Sequence, residues 1–182
     1  MNKLDEFLDI VCGEFDNSEQ FNSMKTNGID FVYAKHINTK CNDHINNLPS
    51  GFTGQFVVLE SYYTTDGKTN KNPHLFCFSL VSDRVKLDSF ELPEGYSKDS
   101  FTYKNLGRLD YNLLVKSSKF TPAYFSCIGG VWTGGSTSMF TPVTKFILHE
   151  EFSKDHLVVS ESMEVNGKRV FGFDEPIVYR KI

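Results

Sequence analysis

The chain has 182 residues, a net charge of −4, and acidic and basic side chains that are interleaved without a basic run. This length suits one domain with a full core and is short for two, so we expect a single domain over residues 1–182. The charge pattern argues against nucleic acid as a partner, because phosphate binding depends on clustered Lys and Arg. The chain contains no apolar stretch of about 18 residues, which argues against a membrane span.

The cysteines and the N-terminus indicate the cellular compartment. Four cysteines lie far apart in the chain: Cys12, Cys41, Cys77 and Cys127. The N-terminus lacks a basic region followed by an apolar run, which is the pattern of a secretory signal. Thiols in a chain without that signal are typically reduced and buried. We therefore expect a cytoplasmic protein.

The first predicted elements are helical. Apolar residues recur at helical spacing at the start of the chain: Leu4, Phe7, Leu8, Val11 and Phe15. They predict an amphipathic helix that Gly13 interrupts. Asn17 is placed as the N-cap of a second, short helical turn that begins at Ser18. The helical segment therefore covers about residues 3–24, and we expect it to plug or flank a sheet.

From Ile29 onward the pattern changes to short strands joined by turns. The predicted strands are 29–37, 55–64, 75–81, 84–92, 112–116, 120–127, 144–151, 156–165, 168–171 and 177–181. Asn166-Gly167 is the strongest hairpin signal, and 129–138 is interpreted as a glycine- and serine-rich loop that holds Trp132. Nine or ten strands in series after one helix predict a mainly β fold, an antiparallel barrel of the calycin or lipocalin type.

The strand at 55–64 carries a carboxylate in its middle. Alternation places Phe56, Val58, Glu60 and Tyr62 on one face and the residues between them, ending at Tyr63, on the other. A carboxylate in a covered strand must find hydrogen-bond donors or remain protonated. Glu60 is therefore either a salt-bridged or solvated residue near a strand end, or a residue that waits for a ligand bringing donors.

A barrel of this size can enclose one small molecule. The polar residues that would tune such a cavity are Glu60, Tyr62, Tyr63, His74, Arg84 and Tyr124. Other chemistries have weaker support. His36, Cys41 and His44 lie within one short segment but lack a fourth ligand, so we expect no metal site. The paired glycines at 129–130 and 134–135 lack the Lys of a phosphate loop, and no nucleophile motif is present.

Several segments, in consistent order, carry a resemblance to a known family. They are Gly13-x-Phe15-x-Asn17-x-x-Gln20, the strand with Glu60 and Tyr63, Asn72-Pro73 with the strand after it, 112–127 ending at Cys127, 146–152 with Glu150-Glu151, and Gly172-x-x-x-Pro176-x-x-Tyr179-Arg180. Together they resemble the T-type phycobiliprotein lyases (the CpcT/CpeT family), which handle open-chain tetrapyrroles called bilins.

The chain departs from the family's motifs at several positions. Two family arginines fall on Leu75 and Cys77, and the Trp before the closing Gly falls on Phe171. The resemblance therefore implies a divergent member that holds a bilin without efficient attachment. Phage-carried copies in marine cyanobacteria are of this kind, and a composition rich in Asn, Lys and Phe fits an AT-rich genome.

The resemblance implies that the chain binds phycoerythrobilin or phycocyanobilin and assists its thioether attachment to a cysteine of a phycobiliprotein β-subunit. Glu60 would meet the pyrrole N–H groups and Tyr63 a ring carbonyl, which makes these two the catalytic candidates. The remaining candidate bilin contacts are Tyr62, His74, Arg84, Tyr124, Trp132 and Arg180. Alternatives are a bilin chaperone without lyase activity and a lipocalin-like carrier of another apolar ligand. Whether two copies form a homodimer is left open.

Overall fold

The structure is a computed structural model that describes residues 2–182. Its helices are α1 (Lys3–Val11) and α2 (Ser18–Thr26), and three 3-10 turns cover Asn42–His44, Tyr103–Asn105 and Tyr111–Leu113. Its strands are β1 (Gly13–Asp16), β2 (Tyr33–Lys40), β3 (Ile45–Asn46), β4 (Gln55–Thr65), β5 (Lys68–Lys71), β6 (His74–Val81), β7 (Arg84–Phe90), β8 (Leu109–Asp110), β9 (Ala123–Ile128), β10 (Val131–Thr141), β11 (Thr144–Phe152), β12 (His156–Val165), β13 (Lys168–Gly172) and β14 (Ile177–Lys181).

Ten antiparallel strands close into a barrel, which confirms the predicted fold class. Around the barrel the order is β1, β2, β4, β6, β7, β9, β10, β11, β12 and β14, and β14 pairs with β1 to close it. β5 extends β4 as a hairpin, and β13 extends β12. The β12–β13 hairpin turns at Asn166 and Gly167, both of which have positive φ, as a two-residue hairpin turn requires.

Helix α1 closes one end of the barrel. Its buried residues are Leu4, Phe7, Leu8 and Val11, which share one helical face. The Asn2 side chain accepts a hydrogen bond from the Asp5 backbone N–H at 2.9 Å and caps the helix. Phe7 is fully buried against four aromatic rings that line the barrel at this end: Phe78, Phe125, Trp132 and Phe152.

The segment after α1 differs in part from the helical prediction. The helix ends at Val11, and Gly13 adopts a positive φ of 135° that turns the chain into β1. Phe15 therefore lies in a strand, buried in the barrel core. Asn17 occupies the N-cap position of α2, but its side chain bonds the Val32 carbonyl and the Ala34 N–H instead.

A second apolar layer covers the outside of β4 and β6. The segment 91–122 folds across these strands, and its apolar residues pack on their outward side chains. The buried members of this outer layer are Cys41, Ile45, Phe56, Val58, Leu75, Cys77, Phe101, Leu106 and Leu109. Strand β4 is thus buried on both faces, inside by the barrel core and outside by this layer.

Two further sequence-based predictions of local structure are wrong. The predicted strand 112–116 is instead the end of a 3-10 turn followed by a single bridge from Lys116 to Phe90. Leu114 packs against the outer layer, whereas Leu113 and Val115 are exposed. The predicted loop 129–138 belongs mostly to β10. A Cβ on Gly134 or Gly135 would collide with a carbonyl oxygen of the adjacent strand, so these glycines permit close strand pairing instead of marking a loop.

Neither helix between residues 2 and 182 is both long and apolar enough to cross a membrane.

Candidate functional site

A cavity of about 600 Å³ occupies the barrel at the end opposite α1. This volume lies within the range of small-molecule sites. Apolar and aromatic side chains from eight strands and the connections beside them form most of its wall: Val32, Leu59, Phe76, Leu87, Phe120, Ala123, Phe140, Phe146, Leu148, Met163, Phe171 and Phe173. Phe171 and Phe173 are partly exposed and lie at the mouth. The cavity therefore offers a long apolar surface to a ligand.

Small side chains on β10 leave this space open. Alternation turns Gly134, Ser136 and Ser138 inward. In the β10–β11 register they face Glu150, Leu148 and Phe146 in turn. A barrel of this size is normally filled by side chains that interdigitate across it. Of these three residues Ser136 lines the cavity, so its small side chain leaves room for a ligand beside Leu148.

Two carboxyl groups, Glu150 of β11 and Glu161 of β12, line the cavity. The β11–β12 register pairs Glu161 with Leu148 and Glu150 with Val159, so the two carboxyls are diagonal neighbours on the inner face. Burial, and then the adjacent Glu161, raise the pKa of Glu150 to about 8. Burial raises the pKa of Glu161 to about 7. Among residues 2–182, the Glu150 Oε2 atom has no hydrogen-bond partner.

A set of buried polar rings lies beside the two carboxyls. The Tyr179 hydroxyl is 3.0 Å from His36 Nε2, and the Tyr63 hydroxyl is 3.5 Å from the same nitrogen. Burial lowers the pKa of His36 to about 3, so this imidazole is neutral near pH 7. Burial, reinforced by the nearby carboxyls, raises the pKa of Tyr63 well above its usual value. Tyr63 also lines the cavity, so it presents a hydroxyl to a ligand there.

The Glu60 side chain points outward from β4 and does not line the cavity. Its carboxylate accepts a hydrogen bond from the Tyr62 hydroxyl at 2.6 Å and another from the Tyr103 backbone N–H at 3.1 Å. Burial and this bond to Glu60 raise the pKa of Tyr62 to about 12. Glu60 and Tyr62 therefore fasten the segment 91–122 to β4, and the donors that Glu60 needs come from the protein itself.

The structure divides the other candidate residues between the cavity and the surface. His74 lines the cavity and stacks on Phe76, with 5.2 Å between the ring centroids. Trp132 is buried in the core at the α1 end, against Phe7. Arg84 lies over the outer face of Tyr124, 4.7 Å from the ring centroid.

Arg180 points outward from β14, and its Nε atom is 3.0 Å from a carboxylate oxygen of Glu19. Of the candidates, only Tyr63 and His74 come together at the cavity. His36 and Cys41, considered above as metal ligands, lie apart, because His36 faces the barrel interior whereas Cys41 belongs to the outer layer. No cluster of three His, Cys, Asp or Glu side chains suited to a metal ion occurs in the described part of the chain.

Sequence reasoning overlooked Glu150 and Glu161 as site residues, although their strands carry a clear signal. The inward positions of β11 read Phe146, Leu148, Glu150 and Phe152. Those of β12 read Leu157, Val159, Glu161 and Met163. Each strand has one carboxylate on an otherwise apolar face, which is the same signal that drew attention to Glu60. Only the closed barrel shows which of these strand faces lines a cavity.

Comparisons with known proteins leave the site to be interpreted from its own chemistry. A scan against protein-family models finds no matching family. A search of curated proteins finds no similar chain.

Proposed function

We propose that this protein binds a phycobilin in the barrel cavity. The observation that carries the proposal is the pair Glu150 and Glu161, set in the wall of an aromatic cavity of about 600 Å³. A bilin has a long conjugated face, which needs apolar and aromatic contacts, and pyrrole N–H groups, which need acceptors. The Glu150 oxygen without a partner is such an acceptor.

The carboxyl pair fits a ligand that brings hydrogen-bond donors or a positive charge. Near pH 7 the empty site holds Glu150 mostly protonated and Glu161 about half protonated, because burial disfavours their ionised forms. A protonated bilin would favour the carboxylate form and form charge-assisted hydrogen bonds with it. Tyr63 also lines the cavity and offers a hydroxyl to a ring carbonyl. The resemblance of 146–152 and of Tyr63 to the lyase motifs also supports this assignment.

Attachment of the bilin to an acceptor protein is the second part of the proposal. In that step the cysteine of a phycobiliprotein β-subunit loses its thiol proton to solvent, its sulfur bonds to the ring-A substituent, the carbon–carbon double bond there becomes a single bond, and a proton is added to the bilin. A carboxyl group with a pKa near 7, such as Glu161, can supply that proton. The nucleophile belongs to the acceptor, so Cys77 and Cys127 of this chain have no role in the step.

The side chains of Glu60, Leu75 and Cys77 lie on the outer side of their strands, which favours a carrier over an efficient lyase. Glu60 matches a lyase motif, whereas Leu75 and Cys77 stand where that family has arginines. All three nevertheless lie in or against the outer layer and not in the cavity. A bilin chaperone that releases its cargo to another enzyme is therefore the leading alternative. Either role is exercised in the cytoplasm, and the four free cysteines are compatible with a reducing compartment there.

Titration with phycoerythrobilin, followed by absorbance and fluorescence, tests binding. We expect a red-shifted, sharpened band for the wild type. The Glu150→Gln/Glu161→Gln double variant should bind at least about tenfold more weakly, because hydrogen bonds to charged groups contribute about 1.5–3 kcal/mol each. Glu151→Gln, on the outward face of the same strand, is the matched control and should bind like the wild type.

The outcomes separate three possibilities. No spectral change in the wild type would exclude bilin and leave a carrier of another apolar ligand with a donor group. Weaker binding in Glu60→Gln, together with normal binding in the double variant, would place the bilin beneath the segment 91–122 instead. Bilin that remains on an acceptor β-subunit after denaturation would establish transfer, and its absence alongside tight binding would establish a carrier.

A further inference from the structure

A second and much smaller space lies inside the barrel, between the cavity and helix α1. This inner chamber has a volume of about 20 Å³, and its wall includes Val11 of α1, Asn38 of β2, Val57 of β4 and Phe152 of β11. Glu150 lines both the inner chamber and the cavity. Its carboxyl group can therefore bond a molecule on either side.

Two enclosed oxygen atoms belong to the wall of the inner chamber. Asn38 Oδ1 and Glu150 Oε2 have no hydrogen-bond partner among residues 2–182, so they do not bond each other either. The Asn38 amide is held in one orientation, because its Nδ2 atom donates to the Val11 carbonyl at 2.7 Å. Enclosed polar atoms are almost always paired, since an unpaired one costs stability.

The size of the chamber and the chemistry of these atoms define what fits between them. An amide oxygen and an ionised carboxylate oxygen only accept hydrogen bonds, so the occupant must donate to both. A buried water needs about 10–15 Å³ and two to four polar partners. The inner chamber meets both conditions, whereas an apolar occupant of this size would leave both oxygens unpaired.

We infer that one ordered water occupies the inner chamber and bridges Asn38 Oδ1 and Glu150 Oε2, so that Asn38 is a positioning residue for the Glu150 carboxyl group. A water suits both protonation states of Glu150, because it accepts from a carboxylic acid and donates to a carboxylate. A carboxylate oxygen accepts two hydrogen bonds, so a ligand in the cavity can share Oε2 with the water. The water is independent of the proposed function, and its effect on a bilin rests on that function.

Val57→Ile tests the water without changing a polar atom. Val57 is fully buried, and one added carbon in the chamber wall should displace the water. In the ligand-free protein we expect the pKa of Glu150, followed by NMR of its carboxyl carbon, to rise from about 8 by roughly half to one pH unit. The reason is that water bonds a carboxylate more strongly than a neutral acid. The free energy of unfolding should fall, whereas filling a dry void would raise it.

Two further variants and a crystal structure complete the test. Asn38→Leu removes the acceptor at similar size and should raise the pKa of Glu150 in the same way. Val85→Ile is the matched control, since Val85 is equally buried but does not line the inner chamber. It should leave the pKa of Glu150 at its wild-type value. A crystal structure of the wild type should show a water about 2.7–3.2 Å from both oxygens.

Three outcomes would overturn the bridging water. The first is an unchanged pKa of Glu150 in Val57→Ile together with a more stable fold, which indicates a dry chamber. The second is a water bonded to only one of the two oxygens. The third is an equal rise in the pKa of Glu150 in Val85→Ile, which indicates general strain in the core.

Binding of phycoerythrobilin at pH 7 tests the effect on the ligand site. Val57→Ile should bind about three- to tenfold more weakly, because ionisation of Glu150 then costs half to one pH unit more. Unchanged affinity in a variant whose Glu150 pKa has risen would overturn the positioning role of Asn38. Absence of binding by the wild type would overturn the proposed function, while the NMR titration and the crystal structure still decide the water.

Discussion

At the scale of residues, the carboxyl pair makes the empty protein sensitive to pH. The pKa values of Glu150 and Glu161 are raised from 4.5 to about 8 and about 7 because protein surrounds both groups. His36 and His74 have pKa values lowered to about 3 and about 4 by burial. The folded state thus holds four titratable groups in their neutral forms near pH 5 to 6.

These shifts give opposite slopes of stability against pH. The folded protein retains carboxyl protons that the unfolded chain releases above about pH 4.5, so the free energy of unfolding falls as pH rises toward 8. The unfolded chain protonates His36 and His74 below about pH 6.5, so these residues make the free energy of unfolding rise with pH up to that point. Between about pH 6.5 and 8 the carboxyl slope outweighs the histidine slope, which fades as the unfolded imidazoles lose their protons.

We expect the ligand-free wild type to lose about 1–2 kcal/mol of unfolding free energy between pH 6.5 and 8. The Glu150→Gln/Glu161→Gln double variant should show little change over this range, because neither glutamine ionises. Urea denaturation at a series of pH values measures both slopes. Glu151→Gln should keep the wild-type slope; a flat wild-type profile would contradict the assignment of two enclosed carboxyl groups.

At the scale of elements, packing explains the N-terminal motif Gly13-x-Phe15-x-Asn17-x-x-Gln20. Asn17 bonds the backbone on both sides of Tyr33, where β2 begins, and Gln20 bonds the Pro176 carbonyl and the Val178 N–H at the start of the closing strand β14. Gly13 supplies the positive φ between α1 and β1. These residues bring the first and last strands together, so they close the barrel, and none of them lines the cavity.

Helix α1 is the element that completes the core at the closed end. We expect Phe7→Ala to lower the free energy of unfolding by about 3–5 kcal/mol, because it removes a fully buried ring that contacts four others. Phe21→Ala on α2 removes a ring that is only partly buried, against Tyr33, and should cost clearly less. Urea denaturation at pH 6 compares the two variants. Equal losses would contradict the role of α1 as a plug.

At the scale of the whole molecule, the cavity exists because the barrel is filled from one end only. Helix α1 and its ring cluster fill one half, whereas the small inward residues of β10 leave the other half open. Filling that space should abolish binding without damaging the fold. We expect Ser136→Phe to weaken phycoerythrobilin binding by at least about tenfold while the free energy of unfolding falls by less than about 2 kcal/mol.

Thr137→Phe provides the control, because Thr137 is exposed on the outer face of the same strand. Its bilin affinity should equal that of the wild type. Unfolding curves recorded beside the binding titrations show whether each variant remains folded. Unchanged affinity in Ser136→Phe would mean that the ligand does not enter the barrel.

The sequence by itself determined the class of fold and most of its strands. Helical spacing located α1, alternation located β4, β11 and β12, and Asn166-Gly167 located a hairpin, because each of these signals is local and has a fixed period. It also supplied two residues of the cavity wall, Tyr63 and His74. The predicted loop over β10 failed because its glycines serve contacts with neighbouring strands, which local propensity does not contain.

Only the tertiary structure decided which carboxylates belong to the site. Glu60, Glu150 and Glu161 each interrupt an apolar strand face, and alternation treats them alike. Closure of the barrel turns Glu150 and Glu161 inward. The segment 91–122 meanwhile covers Glu60 and supplies its hydrogen-bond donors. The period of a strand specifies that two faces exist, but which face becomes the inside depends on contacts between residues far apart in the chain.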